Sequence, residues 1–520
     1  MVGRVLGVLA VVAALALPAG AVAQGEPAAA KAGPRLAGEL PLASGNVEPL
    51  ATLPVPHPIG ARFRDGFMYV TTTEGLTVYD VTEPELPVPV GALPLPHFEN
   101  EDVDLGGDIL LISNDPSEGV GVLYVIDIFN PRVPVLKAAM PNGFIETGVP
   151  GIFGLPEPQE PGIGHTASCI DRCRFAYLAG TSRGIQIVDL RDPANPTPIR
   201  KFVPAITGIA THDVQVDGNG LAWIVGAEGT AGYDVTNPLK PRMVMRTDER
   251  IKNSGQLGFP GPDPVFGIGG EGETPIDLIH HDSLRFHKRR FRARNGATYP
   301  AGGTGRVVGI VEEDYNRPTC KGAGSFQTWG ITSKRTSTGA RKLVLLDRFE
   351  TELDNLVQGK GWAPVTGLCS AHYFDERNGL VAIGWYEEGT RFLDVRNPAR
   401  IRQVGYWVPT KGETWSVLFP PTDRTGSIVY ALDFARGIDV LRFHRSDLRT
   451  RRAPVRRSWL QREPGSPGVG AGRSGLSRRT EFGYVCRLPS RRAATAPAPE
   501  LPGIDAPDVP LPKLPVPALP

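Results

Sequence analysis

Residues 184–193 read Gly-Ile-Gln-Ile-Val-Asp-Leu-Arg-Asp-Pro, and close copies of this phrase return along the chain. The copies read Gly-Leu-Thr-Val-Tyr-Asp-Val-Thr-Glu-Pro at 75–84, Val-Leu-Tyr-Val-Ile-Asp-Ile-Phe-Asn-Pro at 122–131, Thr-Ala-Gly-Tyr-Asp-Val-Thr-Asn-Pro at 230–238 and Gly-Thr-Arg-Phe-Leu-Asp-Val-Arg-Asn-Pro at 389–398. A unit that recurs at roughly 40–50 residues is typical of propeller blades, because one small sheet cannot bury its own faces. The repeat therefore predicts an all-β propeller.

The copy at 230–238 belongs to the clearest unit of the chain. Alternating or apolar runs separated by Gly, Asn and Asp predict four strands, at 211–216, 221–225, 232–235 and 242–246. Proline cannot donate to a ladder, so Pro238 ends the third strand. An Asp just before such a turn can bond the N–H groups of the turn. Four antiparallel strands in about 40 residues make one blade.

The same template predicts seven units. They cover 57–93, 97–138, 164–203, 211–246, a stretched unit from His281 to Ile331, 370–408, and 415–443. The seventh unit lacks a fourth strand. Residues 49–57 resemble 89–97, a fourth strand that runs into a new blade, so residues 47–54 are predicted to complete blade seven. Such closure removes a sheet edge that would otherwise aggregate.

This pattern resembles the LVIVD-repeat family of exported bacterial propellers. Units of that family read Gly-x-x-Ile-x-Asp-Val-Ser-x-Pro after a His-Asp-Val strand, as in His212-Asp213-Val214 here. The resemblance covers about 47–443 and implies a propeller architecture in an exported protein. The family carries no single agreed activity, so the resemblance implies little about chemistry.

Both ends of the chain differ from the repeats. Residues 1–23 are predicted to be a secretory signal, with Arg4, an apolar run and cleavage after Ala23; residues 24–46 are predicted to be a linker. Nothing later approaches the ~20 apolar residues of a membrane helix.

Residues 445–520, first Arg-rich and then Pro-rich, are predicted to be disordered. The Arg cluster is either a solvated linker or a contact for anionic envelope polymers or nucleic acid. No specific nucleic-acid signal stands out, and a monomer is expected.

Five cysteines in an exported chain suggest disulfides with one thiol left over. Cys169 and Cys173 flank a predicted turn and are predicted to pair, although the bridge closes a very short loop. Cys320 and Cys369 are the second predicted pair, which leaves Cys486 odd. A zinc site at Cys169 and Cys173 has less support, because no second ligand pair stands at the usual spacing.

Histidines fall repeatedly at, or just before, the predicted start of a first strand. This holds for seven of the nine, namely His57, His97, His165, His212, His280, His281 and His372. In strict register, His165, His212, His281 and His372 occupy one position in four successive blades, Glu101 takes it in blade two and Trp415 in blade seven. Imidazole is the commonest metal ligand in proteins, so these four are the candidate metal ligands.

Acidic residues fall on loops that open on the same face, between the second and third strands. They are Glu74, Asp115, Glu228, Glu312, Glu313, Asp314, Glu387, Glu388 and Asp433. Imidazoles suit Zn, Cu or Fe, whereas carboxylates alone suit Ca or Mn. A divalent or copper ion at the histidine cluster is therefore the candidate cofactor, and the insertions 139–163, 247–279 and 349–369 would wall a pocket above it.

A structural interpretation of the histidines stays open beside the functional one. A His followed by Asp at a strand start can bond the backbone of the neighbouring blade, which would make the motif purely architectural. The sequence predicts a binding scaffold for an extracellular ligand or envelope component at the His-rich face. The alternative is a metal-dependent oxidase or hydrolase, with Glu101, Glu313 or Glu388 as its acid–base group.

Overall fold

The computed structural model describes 15 segments of the chain. They are 41–95, 103–114, 120–144, 165–179, 184–202, 204, 211–217, 220–226, 229–247, 279–286, 289–292, 298–301, 305–313, 324–351 and 370–445. Within these segments every regular element is a β-strand. The predicted signal (1–23), most of the linker (24–40) and the tail from residue 446 onward lie outside them.

The strands follow the predicted repeat. Two strands precede the first blade, β1 (Leu42–Ala43) and β2 (Val47–Leu53). Blade one contains β3 (Pro58–Arg64), β4 (Phe67–Thr72), β5 (Gly75–Asp80) and β6 (Val88–Pro94), and blade two contains β7 (Val103–Gly106), β8 (Ile109–Asn114), β9 (Val120–Asp127) and β10 (Val135–Phe144). Blade three contains β11 (Thr166–Ile170), β12 (Phe175–Ala179), β13 (Ile185–Asp189) and β14 (Thr197–Phe202), and blade four contains β15 (Thr211–Val216), β16 (Leu221–Gly226), β17 (Gly229–Asp234) and β18 (Arg242–Arg246).

The remaining three blades are less regular. Blade five begins with β19 (Ile279–Arg285), is interrupted by the hairpin β20 (Arg289–Arg292) and β21 (Thr298–Ala301), and continues with β22 (Val307–Glu313), β23 (Ser325–Arg335) and β24 (Arg341–Phe349). Blade six contains β25 (Phe374–Arg377), β26 (Leu380–Gly384), β27 (Thr390–Asp394) and β28 (Arg402–Val408). Blade seven supplies only β29 (Thr414–Leu418), β30 (Ile428–Asp433) and β31 (Gly437–Phe443) from its own part of the chain.

The N-terminal strand completes blade seven. Strand β2 pairs antiparallel with β31, so that Val47 stands opposite Phe443 and Leu53 opposite Ile438. The first strands of successive blades contact one another in the cycle β3, β7, β11, β15, β19, β25, β29 and back to β3. The protein is therefore a seven-bladed β-propeller closed by an N-terminal strand, as the sequence predicted.

Apolar side chains fill every junction between neighbouring blades. Seven buried clusters each draw on two adjacent blades; one of them packs Phe286 of blade five against Phe374 of blade six. Another unites Val47 of the closing strand with Phe392 and Phe443. Each sheet is therefore covered on both sides only because the ring is closed, which is the reason that single blades do not stand alone.

Two further pairings occupy outer edges of the ring. Strand β1 adds to β28, with Leu42 opposite Val408, so blade six has five strands and the end of the predicted linker belongs to the fold. Strand β18 of blade four pairs parallel with β24 of blade five, which joins these blades into one eight-stranded sheet. Paired edges offer no ladder to another chain.

The Asp in the repeated sequence has a structural role in the turn that follows the third strand of a blade. In five blades the Asp of the phrase accepts the backbone N–H of the residue two positions later, at 2.9–3.1 Å; these residues are Asp80, Asp127, Asp189, Asp234 and Asp394. This bond fixes the exit of each third strand, as the sequence predicted. The motif is architectural, and the chemistry of the protein must be sought elsewhere.

The antiparallel order of strands defines two faces. The start of each first strand and the loop between the second and third strands lie on the same face, which we call the His face. In blade five, His280 of β19 stands opposite Glu312 of β22, and Glu312 stands opposite Ser325 of β23. Those predicted histidines and acids that lie in the described segments therefore share one mouth of the propeller.

Candidate metal centre

Four buried histidine rings form a continuous row at the mouth of the ring. The ring centroids of His165 and His212 are 4.7 Å apart, those of His212 and His281 4.2 Å, and those of His281 and His372 4.1 Å. The row exists because each ring occupies the same position at the start of the first strand in blades three to six. Tertiary structure thus brings together all four predicted residues.

Aromatic side chains continue this row around the mouth. The Trp415 ring lies 5.1 Å from His372 and stacks on Phe434, and Phe434 in turn lies 4.6 Å from the exposed His57. His57 belongs to the rim, and its Nδ1 lies 2.8 Å from the Phe434 carbonyl oxygen. Ile59, Tyr386 and Trp415 form a small apolar cluster beneath.

Two of the histidines bond the backbone of the next blade. Nδ1 of His212 lies 3.3 Å from the carbonyl oxygen of His281, and Nδ1 of His372 lies 2.9 Å from that of Trp415. A carbonyl oxygen can only accept, so Nδ1 is the donor and Nε2 of the neutral ring keeps a lone pair. The architectural role predicted for these histidines therefore exists, and it uses only one of the two ring nitrogens.

Glu313 is the carboxylate that reaches the row. It ends β22 and is buried. Its Oε2 lies 3.7 Å from Nε2 of His281, and its Oε1 lies 4.0 Å from Nε2 of His372. These distances exceed an ordinary hydrogen bond. They approach the spacing of two ligands on one tetrahedral ion, roughly 3.4 Å when each stands about 2.1 Å from the metal.

His212, His281 and Glu313 form a compact group of possible metal ligands in the described part of the chain. One ligand atom from each lies within 4.8 Å of the others, and all three residues are buried. Two imidazoles and a carboxylate favour zinc or iron(II) over calcium or magnesium. His372 stands beside this group, and His165 lies one ring further along the row.

The other predicted acids occupy different positions. Glu388 is buried and forms an ion pair with Arg391 at 3.3 Å, while Glu74 is exposed. Glu312 accepts hydrogen bonds from Ser325 and Gln327. Asp433 accepts the N–H of Glu413, and burial raises the pKa of Asp433 to about 7. Glu101, Asp115, Glu228 and Asp314 lie outside the described residues, as does His97.

The residues that follow the histidines line the first strands just below the row. Asp213 and Asp282 each accept the N–H of the next residue, from Val214 and Ser283. Burial, together with the negative charge of Asp213, raises the pKa of Asp282. These carboxylates brace the strands and supply no ligand atom to the compact group.

Two tyrosines of the site were missed by the sequence analysis. The Tyr386 hydroxyl donates to Oε1 of Glu313 at 2.5 Å, and the Tyr373 ring lies 4.8 Å from His281 and 4.7 Å from His372. Both were detectable in principle, because Tyr373 follows a row histidine directly and Tyr386 precedes the acidic pair Glu387-Glu388. Their role depends on packing between blades, which has no local signal.

One predicted disulfide lies among the described residues. The Cys169 and Cys173 sulfurs stand at disulfide distance across the turn between β11 and β12. The three residues Asp171, Arg172 and Cys173 all have left-handed backbone, which a chain of L-residues rarely adopts in sequence. The second predicted pair, Cys320 and Cys369, and the odd Cys486 lie outside the described residues.

The chain matches no protein-family model and no curated protein. Among solved structures it is similar to the β-propeller domain of Myceliophteria thermophila Cps50 (Swd1), with 11% sequence identity and a TM-score of 0.46. The alignment covers 76% of this chain and 99% of that one. The assignment of the fold rests on the strand pairing of this chain itself.

Proposed function

We propose that this chain is an exported propeller of the LVIVD-repeat type that binds a divalent transition-metal ion and presents it to an extracellular ligand at the His face. The ligands are His212, His281 and Glu313. The observation that carries this proposal is that one ligand atom of each lies within 4.8 Å of the others in a buried setting.

The hydrogen bonds around the group suit metal binding. A ligating imidazole usually donates its other N–H to a carbonyl or carboxylate, which fixes the ring and its tautomer. His212 meets this condition through His281. Burial of a carboxylate charge is costly unless an opposite charge or several donors compensate it, and a cation beside Glu313 would add to the compensation that its hydrogen-bond donors provide.

Two features support export: the composition of the N-terminal segment and a pair of cysteines. The N-terminal 23 residues have the composition of a cleaved signal, and a cysteine pair at disulfide distance suits an oxidising compartment. A separate finding, which bears on no compartment, is that the described strands and loops include no helix that could span a bilayer.

A metal-dependent enzyme is the second candidate. Two histidines and one carboxylate recur as the ligands of catalytic zinc and of iron(II) sites that keep open positions. Glu388 is a poor acid–base group for such an enzyme because Arg391 already holds it. His372, whose Nε2 lies 4.0 Å from Oε1 of Glu313, is the better placed base.

Elemental analysis of purified mature protein tests the metal site. We expect stoichiometric zinc or iron in the wild type and its loss in His212→Asn and Glu313→Gln. The Asn side chain can still donate to the His281 carbonyl, so the first variant removes the ligand and keeps the inter-blade bond. His57→Ala, on the exposed rim, is the matched control and should retain the metal. Wild-type protein that stays metal-free after incubation with zinc and with iron(II) would overturn the proposal.

A further inference from the structure

One oxygen of the candidate metal ligand Glu313 is already engaged by a tyrosine. The Tyr386 hydroxyl donates to Oε1 at 2.5 Å, and both side chains are buried. The other oxygen, Oε2, lies 3.7 Å from Nε2 of His281. The two oxygens of this carboxylate therefore have different neighbours: Oε1 accepts the Tyr386 hydroxyl, and Oε2 lies near His281.

The position of the tyrosine is set by the fold. Tyr386 has a φ of 35°, a left-handed value that is uncommon for a bulky residue and persists where surrounding structure enforces it. Its carbonyl oxygen accepts the N–H groups of Gly389 at 3.0 Å and Thr414 at 2.9 Å. The first bond closes a tight loop and the second ties that loop to blade seven, so the backbone of Tyr386 is held in place independently of Glu313.

The Tyr386 ring is also packed against the row. It lies 4.8 Å from the ring of His372 and 5.7 Å from that of Trp415. Movement of the hydroxyl away from Glu313 would disturb these contacts between blades six and seven. The hydrogen bond is thus part of a rigid shell around the ligand group.

We propose that Tyr386 keeps Glu313 a one-oxygen ligand, so that the ion held by His212, His281 and Oε2 retains an open coordination position for a small external oxygen or nitrogen donor. A carboxylate without such a bond can turn both oxygens to one ion. Sites with four protein ligands are closed, whereas three protein ligands leave a position for water or substrate. This inference rests on the proposed function, since it needs the ion.

His372 defines the chemistry beside the open position. Its Nδ1 donates to the Trp415 carbonyl, so in the neutral ring Nε2 carries the lone pair, and this atom lies 4.0 Å from Oε1 of Glu313. A metal-bound ligand that carries a proton, water in the first instance, would find its acceptor there. Tyr386 and His372 are therefore positioning residues for whatever occupies the fourth place on the ion.

Cobalt(II) substitution with azide as the probe tests this inference. Cobalt should bind wild-type protein stoichiometrically with a visible d–d spectrum, and azide should shift that spectrum saturably. In Tyr386→Phe, cobalt should still bind, but Oε1 closes the open position and the azide affinity should fall by about tenfold or more. Tyr430→Phe is the control, because it removes a buried tyrosine hydroxyl that donates to the Pro84 carbonyl oxygen and leaves the Tyr386–Glu313 bond intact.

The outcomes separate this inference from the proposed function. Absence of stoichiometric cobalt in the wild type, or undiminished cobalt in His212→Asn, would defeat the proposed function. Stoichiometric cobalt with no response to azide in the wild type, or an equal response in Tyr386→Phe, would defeat the open position assigned to Tyr386 alone. If the Tyr386 variant fails to fold, the wild-type titration still tests the open position, and the absence of an azide response would overturn the inference.

Discussion

Nδ1 of His372 in blade six lies 2.9 Å from the backbone carbonyl oxygen of Trp415 in blade seven. This bond joins the first strands of two neighbouring blades at the His face, and the His372 ring is fully buried. The same residue therefore holds the ring of blades together and presents Nε2 to Glu313.

Variants of His372 should separate these two tasks. His372→Ala removes the bond and leaves a buried carbonyl, which should lower the free energy of unfolding by roughly 1–3 kcal/mol. The Asn side chain of His372→Asn can still donate to the Trp415 carbonyl, so this variant should lose distinctly less unfolding free energy than His372→Ala. Urea unfolding with a chelator present measures both values without a contribution from metal. Equal losses in the two variants would show that the inter-blade bond contributes nothing.

Closure by the N-terminal strand should dominate the stability of the propeller. Removal of residues 1–53 deletes β1 and β2 and uncovers Val440 and Leu441, both fully buried in the intact ring. Each buried aliphatic side chain that loses its cover costs roughly 1.5–3 kcal/mol, so thermal unfolding should occur at a much lower temperature and lose cooperativity. A chain that begins at residue 41 keeps both strands and is the control. Identical melting of the two chains, followed by circular dichroism, would contradict the closed ring.

Asp394 should be the most costly of the turn aspartates to remove. Its buried carboxylate accepts the N–H of Arg396 and pairs with the side chains of Arg396 and Arg402. Burial opposes its ionisation, but these donors prevail and hold the pKa of Asp394 below its ordinary value. Its contribution is present above that ordinary pKa and is lost as the pH falls through the folded value. Asp394→Ala should cost roughly 1–3 kcal/mol in urea unfolding at neutral pH.

The matched control for that variant is Asp234→Ala. Asp234 occupies the same place in blade four and makes the same turn bond to Thr236, but its side chain is 26% exposed. Water can replace the lost partners there, so the cost should be clearly smaller. Asp234 also pairs with Arg242, so equal losses at the two positions would show that burial and the second arginine of Asp394 add nothing.

Asp433 should make stability fall as the pH rises toward neutrality. Burial raises its pKa to about 7, Asp439 adds to the rise, and the Glu413 N–H and Arg436 oppose it. Between the ordinary pKa near 3.8 and about 7, the folded protein holds a proton that the unfolded chain has released. The stabilisation is complete below the ordinary value and disappears as the pH rises through 7.

Asp433→Asn should flatten this dependence, because the amide does not titrate. The measurement is the thermal midpoint at several values between pH 4 and pH 8, with Asp439→Asn as a second variant that removes only the neighbouring charge. We expect a shallower slope in Asp433→Asn than in the wild type. The same slope of the thermal midpoint against pH in Asp433→Asn and in the wild type would show that Asp433 ionises normally in the folded protein.

The architecture could be predicted from the sequence because its signals are local. The Asp of each phrase bonds an N–H two residues away, so the turn is encoded where it forms. The number of blades then follows from the alternating pattern of the strands and from the turn residues between them. Even the closing strand was detectable, since residues 49–57 copy the end of another unit. The pairing of β1 with β28 was missed, because a two-residue strand has no periodicity.

The sequence by itself determined seven repeats and the position of a histidine in each of four first strands. Tertiary structure decided which side chains meet. Glu313, and not Glu388, lies beside the histidine row, because Glu388 pairs with Arg391. Tyr386 is the hydrogen-bond donor to Glu313. The physical reason is that side-chain direction within a blade follows from strand register, whereas distances between blades depend on how seven sheets pack around one axis. Only the packed ring brings residues 212, 281, 313 and 386 within reach of one another.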